Sequence, residues 1–314
     1  MERKVTNQVF LIAGPTASGK SSLALEFAAR VQDKGGARII NADSMQIYRD
    51  LSIVTACPSA AELAQVDHRL YGVLDGAQRC SVARWLDLAV AEVKQAWADG
   101  ALPIVVGGTG LYFKALTEGL APVPEVSADI WDEGKAILTA GQGPALHAEL
   151  VKIDPQMAAR LNPTDPQRVL RAWSVMRGTG RSLADWQNDP VDPPLRDAIF
   201  HKWVLMPDRE WLYARCDRRF HLMMAEGALD EVRALVVRGL DPTLPVMKAV
   251  GVPQLAAFLA GDISEADAIA NAQMQSRRYA KRQLTWGRNQ MIAWNSVNEQ
   301  QMESVCDKML SKIL

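Results

Sequence analysis

Cysteine is scarce in this chain and never paired: Cys57, Cys80, Cys216 and Cys306 are its 4 cysteines, far apart and with no CxxC spacing. That excludes a zinc ribbon and a disulfide framework, and it fits a reducing compartment in which buried thiols simply pack. Long apolar runs are missing too. Val9 to Ala13 is too short for the hydrophobic stretch of a signal peptide, and no segment approaches the roughly 18 apolar residues of a membrane span. A cytoplasmic protein with no membrane association is expected. Neither charge is in excess, since 35 basic against 36 acidic side chains leave a net charge of -1. Any hold on a polyanion must therefore come from a local basic face. Repeats and low-complexity tracts are absent as well. What remains is an ordinary globular composition, 48% hydrophobic and 23% charged over 314 residues, enough for one large domain or two unequal ones.

The order of patterns along the chain predicts the fold class. Gln8 to Ala13 is an apolar strand, Gly14-Pro15 opens a tight loop, and Gly19 to Arg30 carries helix formers around Leu23, Leu25 and Phe27. Arg38 to Ala42 reads as a second strand and Val82 to Ala98 as an amphipathic helix. Pro103 to Val106 is a third strand, running into Gly107 and Gly108. Strands alternating with helices imply α/β architecture, a parallel sheet covered by helices in the manner of P-loop NTPases. Two proline-rich stretches, at 121–124 and 189–194, bracket a region with helical periodicity only, notably Pro155 to Leu161 and Pro166 to Met176, the latter stopped by Gly178 and Gly180. The expected organisation is a catalytic core over 1–120 and 199–314 with a helical insertion domain over 121–198, joined by stiff connections. Ile199 to Met206 returns as a strand. Trp211 to Arg238 and Glu265 to Trp286 read as helix.

Gly14-Pro15-Thr16-Ala17-Ser18-Gly19-Lys20-Ser21 satisfies GxxxxGK[ST] in the strand-to-helix context that gives the pattern its meaning. Backbone N–H groups of such a loop curl around phosphate oxygens, and the helix N-terminus adds positive potential. Lys20 is expected to reach the outer phosphate and Ser21 to offer its hydroxyl to Mg²⁺. The pattern alone leaves the phosphate compound open.

Two further segments sit at strand ends, where open parallel sheets handle ligands. In Asn41-Ala42-Asp43-Ser44-Met45-Gln46-Ile47-Tyr48 a carboxylate can accept a proton or help hold a cation. In Gly107-Gly108-Thr109-Gly110-Leu111-Tyr112 small residues allow close approach to a substrate, and Thr109 can donate to a phosphate oxygen. With the P-loop, with Asp165-Pro166-Gln167-Arg168-Val169-Leu170-Arg171-Ala172-Trp173 and with Ala280-Lys281-Arg282-Gln283-Leu284-Thr285-Trp286, these segments resemble the tRNA dimethylallyltransferase family in order and spacing from about residue 8 to 290. That family has a P-loop core with a helical insertion.

The resemblance implies that the loop grips the pyrophosphate of dimethylallyl diphosphate, using no nucleotide triphosphate. The implied acceptor is N6 of the adenosine just 3′ of the anticodon, in tRNAs reading codons that begin with U. Asp43 is the implied general base. Lys20, Thr109 and Mg²⁺ would neutralise charge on the departing pyrophosphate. Arg215 and Arg219, four apart on one helical face, are placed to close over it, and the resemblance implies an arginine from this segment without choosing between them.

An adenine stacked in an anticodon loop has to be everted to reach a carboxylate. By the same resemblance Asp43, Ser44, Met45, Gln46 and Thr109 meet it, while Gln167, Arg168, Val169, Leu170 and Arg171 of the insertion contact the tRNA anticodon stem-loop, with Trp131 a further contact by position. Arg277, Arg278, Lys281, Arg282 and Arg288 form a basic run whose helical spacing suits a phosphate backbone, with Arg278, Lys281 and Arg282 the expected contacts. Tyr279 and Trp286 among them are read as core packing. A monomer is expected.

The chain departs from the family pattern at Cys57, where a lysine is usual, at Arg84-Trp85 in place of Asp-Phe, and over Lys248 to Gln254, which lacks the usual Tyr and basic residue after the glycine. Lys20, Asp43 and Thr109 are untouched. Two rival readings use the same residues. In an ATP-dependent small-molecule kinase Arg215 and Arg219 would be lid arginines, and a non-catalytic RNA-binding module would need no base at Asp43.

Overall fold

The computed structural model describes residues 7–139, 143–298 and 301–313. In chain order its elements are β1 (Gln8–Ala13), α1 (Lys20–Arg30), β2 (Ala37–Asn41), α2 (Ala60–Gln65), β3 (Asp67–Arg69), α3 (Val82–Ala98), β4 (Leu102–Gly107), α4 (Gly110–Glu118), α5 (Ala128–Thr139), α6 (Gly143–Ile153), α7 (Pro155–Ala158), α8 (Pro166–Thr179), α9 (Leu183–Asn188), β5 (Ile199–Leu205), α10 (Arg209–Ala225), α11 (Ala228–Val237), α12 (Val252–Leu259), α13 (Glu265–Gln290), β6 (Asn295–Val297) and α14 (Met302–Leu310). No helix among the described residues is long and apolar enough to cross a membrane.

The strands form one sheet in the order β3-β2-β4-β1-β5-β6, with every pair parallel. Near-continuous apolar runs make this possible, because a parallel sheet covered by helices is buried on both faces. Val9 to Ala13 and all of β4 are buried. Phe10, Ile12, Ile104 and Val106 pack with Leu23 and Phe27 of α1 and with Val305 and Met309 of α14 into one core. The register places Ala13 beside Gly107 and Asn41 beside Val106. The loops that leave the C-terminal ends of β1, β2 and β4 therefore emerge side by side, which is what assembles the site below.

The chain divides into two compact units, Met1–Thr117 with Pro194–Leu314, and Glu118–Pro193. The second unit, expected from sequence over 121–198, holds helices and no strand among its described residues. Its core is Leu146, Leu150, Val169, Leu170, Trp173 and Ala184. Its helix α8 begins where Asp165 caps the N–H of Arg168 with Pro166 in the first turn, and it ends at Gly180, whose φ of 69° suits a left-handed stop. Gly178 lies inside that helix and is no stop. The helical run expected over Trp211 to Arg238 is in fact two helices, because Gly227 adopts φ 103° between α10 and α11. The short strands β3 and β6, at the two edges of the sheet, were not expected.

Candidate active site

Asp43 sits just past the end of β2, and a buried asparagine decides how it stands. Asn41 is fully buried. Its side-chain amide donates to the Asp43 carbonyl and to the Leu70 carbonyl at 3.0 Å each, and its oxygen accepts from the Asp43 N–H at 2.7 Å. The Asn41 carbonyl in turn accepts from the Trp85 indole N–H at 2.9 Å. Trp85, a departure from the family pattern, is also stacked on Tyr112, with centroids 4.1 Å apart and planes 8° from parallel. Asp43 then folds Oδ1 back onto the Met45 N–H at 2.9 Å, an Asx turn. Thr109 is tied to the same turn twice: its Oγ1 accepts from the Ser44 N–H at 3.0 Å and its N–H donates to the Ala42 carbonyl at 3.1 Å. Carboxylate and threonine hydroxyl are thus neighbours by construction.

The glycines before Thr109 serve a different purpose from the one expected. A β-carbon on Gly107 would lie 2.1 Å from the Ala42 carbonyl, and one on Gly108 would lie 2.1 Å from Nε2 of Gln283. The space that sequence reasoning gave to a substrate is filled by the protein itself. Gln283, which that reasoning did not single out, accepts from the Thr16 N–H at 2.8 Å and donates to the Gly108 carbonyl at 2.9 Å. One amide on α13 therefore holds together the loop after β1 and the loop after β4.

The cleft beside Asp43 is cationic. It is lined by Thr16, Ala17, Gly19, Lys20 and Ser21 from the loop and the start of α1, and by Arg215, Arg218 and Arg219 from α10. Arg215 donates from Nε to the Ala17 carbonyl at 2.8 Å and lies over the Trp211 ring. Arg219, the more deeply set of the two, donates to the Thr16 hydroxyl at 3.1 Å and to the Thr55 carbonyl at 3.4 Å. Arg218 was missed from sequence, although the run Arg215-Cys216-Asp217-Arg218-Arg219 carries the signal. Lys20 is buried, and desolvation lowers its pKa to about 8 against the opposing pull of Asp43. The Ser18 hydroxyl is buried with no hydrogen-bond partner among the described residues.

The donor set of this cleft fits Mg²⁺. Ser21 and Asp43 present hard oxygens to one space, while no group of three His, Cys, Asp or Glu side chains among the described residues could cage a metal. An ion held by one or two protein oxygens and completed by phosphate and water oxygens is the usual Mg²⁺ arrangement.

A second chamber also reaches Asp43 and shares Thr16, Ala17, Thr55 and Arg219 with the first. One part of its wall is apolar, made by Met45, Val54, Cys216, Phe220, Met223 and Val250. The rest is polar, with Lys248, Ser276, Tyr279 and Arg282. Tyr279 is therefore part of the site, contrary to its reading as core packing. Its ring lies under the Arg282 guanidinium, 5.4 Å from centroid to carbon, and burial pushes the phenol pKa up. Gln46 turns away from this chamber, donating to the Thr55 and Ala56 carbonyls at 3.0 and 2.7 Å. Cys57 lines the cationic cleft, and burial raises its thiol to about 11, so it stays neutral where the family pattern has a lysine.

Of the basic run on α13, Arg278, Lys281 and Arg288 are exposed. Arg277 is instead paired with Asp217 of α10. In the helical unit Gln167 and Arg168 are exposed, Arg168 3.3 Å from Asp165. Arg171 lies over the Trp131 ring at 5.8 Å, and burial lowers its pKa. Val169 and Leu170, 0% and 8% exposed, belong to the core of that unit. Their side chains are corrected from contact residues to packing residues, since the helix turns them inward.

The chain is similar to known proteins in both sequence and fold. Residues 46–290 match the model of the family described as IPP transferase. A tRNA dimethylallyltransferase of Parvibaculum lavamentivorans is 50% identical over 303 residues, covering 96% of this chain and 95% of that one. One from Rhodospirillum rubrum is also 50% identical, covering 97% and 92%. Among solved structures, the full-length tRNA isopentenylpyrophosphate transferase of Bacillus halodurans superimposes with a TM-score of 0.70 at 31% identity, covering 98% of this chain and 97% of its own. A eukaryotic dimethylallyltransferase described as acting on tRNA gives a TM-score of 0.77 at 25% identity, covering 93% and 74%.

Proposed function

Because the chain belongs to the IPP transferase family, we propose that it transfers a dimethylallyl group from dimethylallyl diphosphate to N6 of the adenosine just 3′ of the anticodon, in tRNAs reading codons that begin with U, releasing pyrophosphate. The observation that carries this reading is the position of Asp43, which lines both the cationic cleft and the partly apolar chamber. A carboxylate there faces an anionic head on one side and has room for a hydrocarbon tail and a purine on the other.

In the proposed step the allylic C–O bond breaks and its electron pair leaves with the pyrophosphate. The N6–C bond forms, and Asp43 accepts the N6 proton, which passes to solvent. An exocyclic purine amine is a weak nucleophile, so help is needed at both ends. Lys20, Arg215 and Arg219 hold the leaving group, and Thr109, fixed beside Asp43, orients the amine or a phosphate oxygen. Ser21, with Asp43 nearby, would hold Mg²⁺, whose charge when bound further neutralises the pyrophosphate. Everting the adenine costs a few kcal/mol, which contacts from Met45, Tyr279 and Arg282 in the chamber offset. Arg278 and Lys281 on α13, and Arg171 with Trp131 in the helical unit, are the proposed backbone and stacking contacts of the anticodon stem-loop. Free thiols throughout suit the proposed cytoplasmic setting, and the protein is proposed to act as a monomer.

The test is direct. With tRNA and labelled dimethylallyl diphosphate, but without ATP, label should appear in tRNA in stoichiometry with released pyrophosphate. Phosphate transfer from labelled ATP to a small molecule, with no prenylation, would restore the kinase reading, which the family membership and the apolar wall both disfavour.

A further inference from the structure

The proposed donor has a tail as well as a head, and the chamber beside Asp43 has a built end. Val54 and Phe220, 6% and 2% exposed, line that end, and Gly251, outside the lining, lies against both. A β-carbon placed on Gly251 would lie 3.1 Å from a Val54 methyl and 3.2 Å from the Phe220 ring. Gly251 thus packs so closely on both that no further carbon fits between it and either side chain. The backbone that carries Val54 is also anchored. The Val54 N–H donates to the Glu231 carboxylate at 2.8 Å, and the same carboxylate accepts from the N–H groups of Ile53 at 2.9 Å and Ser52 at 2.6 Å. Three backbone donors on one charged acceptor hold the loop firmly. Met45 and Met223 extend the wall and bring no charge or hydroxyl to it.

We propose that Val54, backed by Phe220 and anchored through its own N–H to Glu231, is the stop that limits the transferred group to a single five-carbon unit. This specificity role rests on the reading of the site as one for an allylic diphosphate. The bonds made and broken are those of the transfer above, and only the length of the tail is selected. A misfit of one methylene in such a pocket changes kcat/KM by about 10- to 200-fold, so a ten-carbon tail should be excluded outright by an unyielding wall.

The experiment compares dimethylallyl diphosphate with geranyl diphosphate as donors to tRNA, using the full-length protein. The wild type should transfer the five-carbon group and give no measurable ten-carbon product. In Val54→Ala the ratio of kcat/KM for the longer over the shorter donor should rise at least about tenfold, and further when Phe220→Leu is added. Val54→Thr, which keeps the volume, should keep the limit. Where a variant no longer turns over, the calorimetric affinity for geranyl diphosphate relative to dimethylallyl diphosphate reads the same preference. The proposal is overturned if Val54→Ala and the double variant keep the wild-type ratio, or if Val54→Thr gains the longer donor equally. Absence of five-carbon transfer by the wild type would instead sink the functional reading itself.

Discussion

The place of Asp43 is set by residues buried behind it. Asn41 spends both faces of its amide on the backbone around Asp43, and the Trp85 indole fixes the carbonyl behind it. Asp43→Asn keeps that framework and removes the carboxylate, the proposed base and a proposed oxygen for Mg²⁺, so kcat for prenyl transfer should fall at least about a hundredfold with tRNA affinity retained; single-turnover kinetics and a filter-binding assay check both halves. Lys20 supplies a pH dependence. Its free-protein pKa is lowered to about 8 by burial, so the ammonium is charged below that value and is lost as pH rises through it. The KM for the allylic diphosphate should be lowest below about pH 8 and climb above it, and Lys20→Arg should flatten the climb. Where Lys20, Asp43 and Thr109 stand was legible in the sequence because each follows a strand end at a short offset. Gln283, Tyr279 and Val54 were not, because their roles come from long-range pairing: Gln283 reaches Thr16 across 267 positions of chain.

At the scale of elements, α13 carries two surfaces with different duties. Tyr279, Gln283 and Gly287 share a face at helical spacing, with Tyr279 lining the chamber and Gln283 and Gly287 packed beside the loops after β1 and β4, while Arg278 and Lys281 point to solvent. Removing charge at Arg278 and Lys281 together should flatten the salt dependence of tRNA binding by about 0.7–0.9 per lost phosphate contact; an unchanged slope in equilibrium titrations would take this helix out of the tRNA interface. Gln283→Leu should act differently, lowering kcat about tenfold or more by freeing the Gly108–Thr109 loop, with the salt slope unaltered. The long elements were readable from periodicity and caps, as with Pro166 and Gly180 around α8. The edge strands were not, since three residues such as Asp67–Arg69 are too few to show alternation. The break at Gly227 was hidden because helix formers continue on both sides of it.

For the molecule as a whole, a helical unit with a core of its own, apart from the core around the sheet, implies two separable stabilities. Trp173 is 3% exposed in the core of the helical unit, and Trp173→Ala should destabilise that unit by about 3–5 kcal/mol. Hydrogen exchange should then lose protection across Glu118–Pro193 while the amides of β1 and β4 keep theirs; a uniform loss would mean that the two cores unfold as one. The sheet has a further consequence at this scale. Its two rims are strands of three residues each, one of them Asp67-His68-Arg69. A neighbouring chain seeking to add itself to such a rim finds too few free backbone groups, and on one side two charged side chains among them. At high concentration the folded protein should therefore remain free of edge-to-edge stacking, and ordered aggregates should form only after the longer inner strands have come apart.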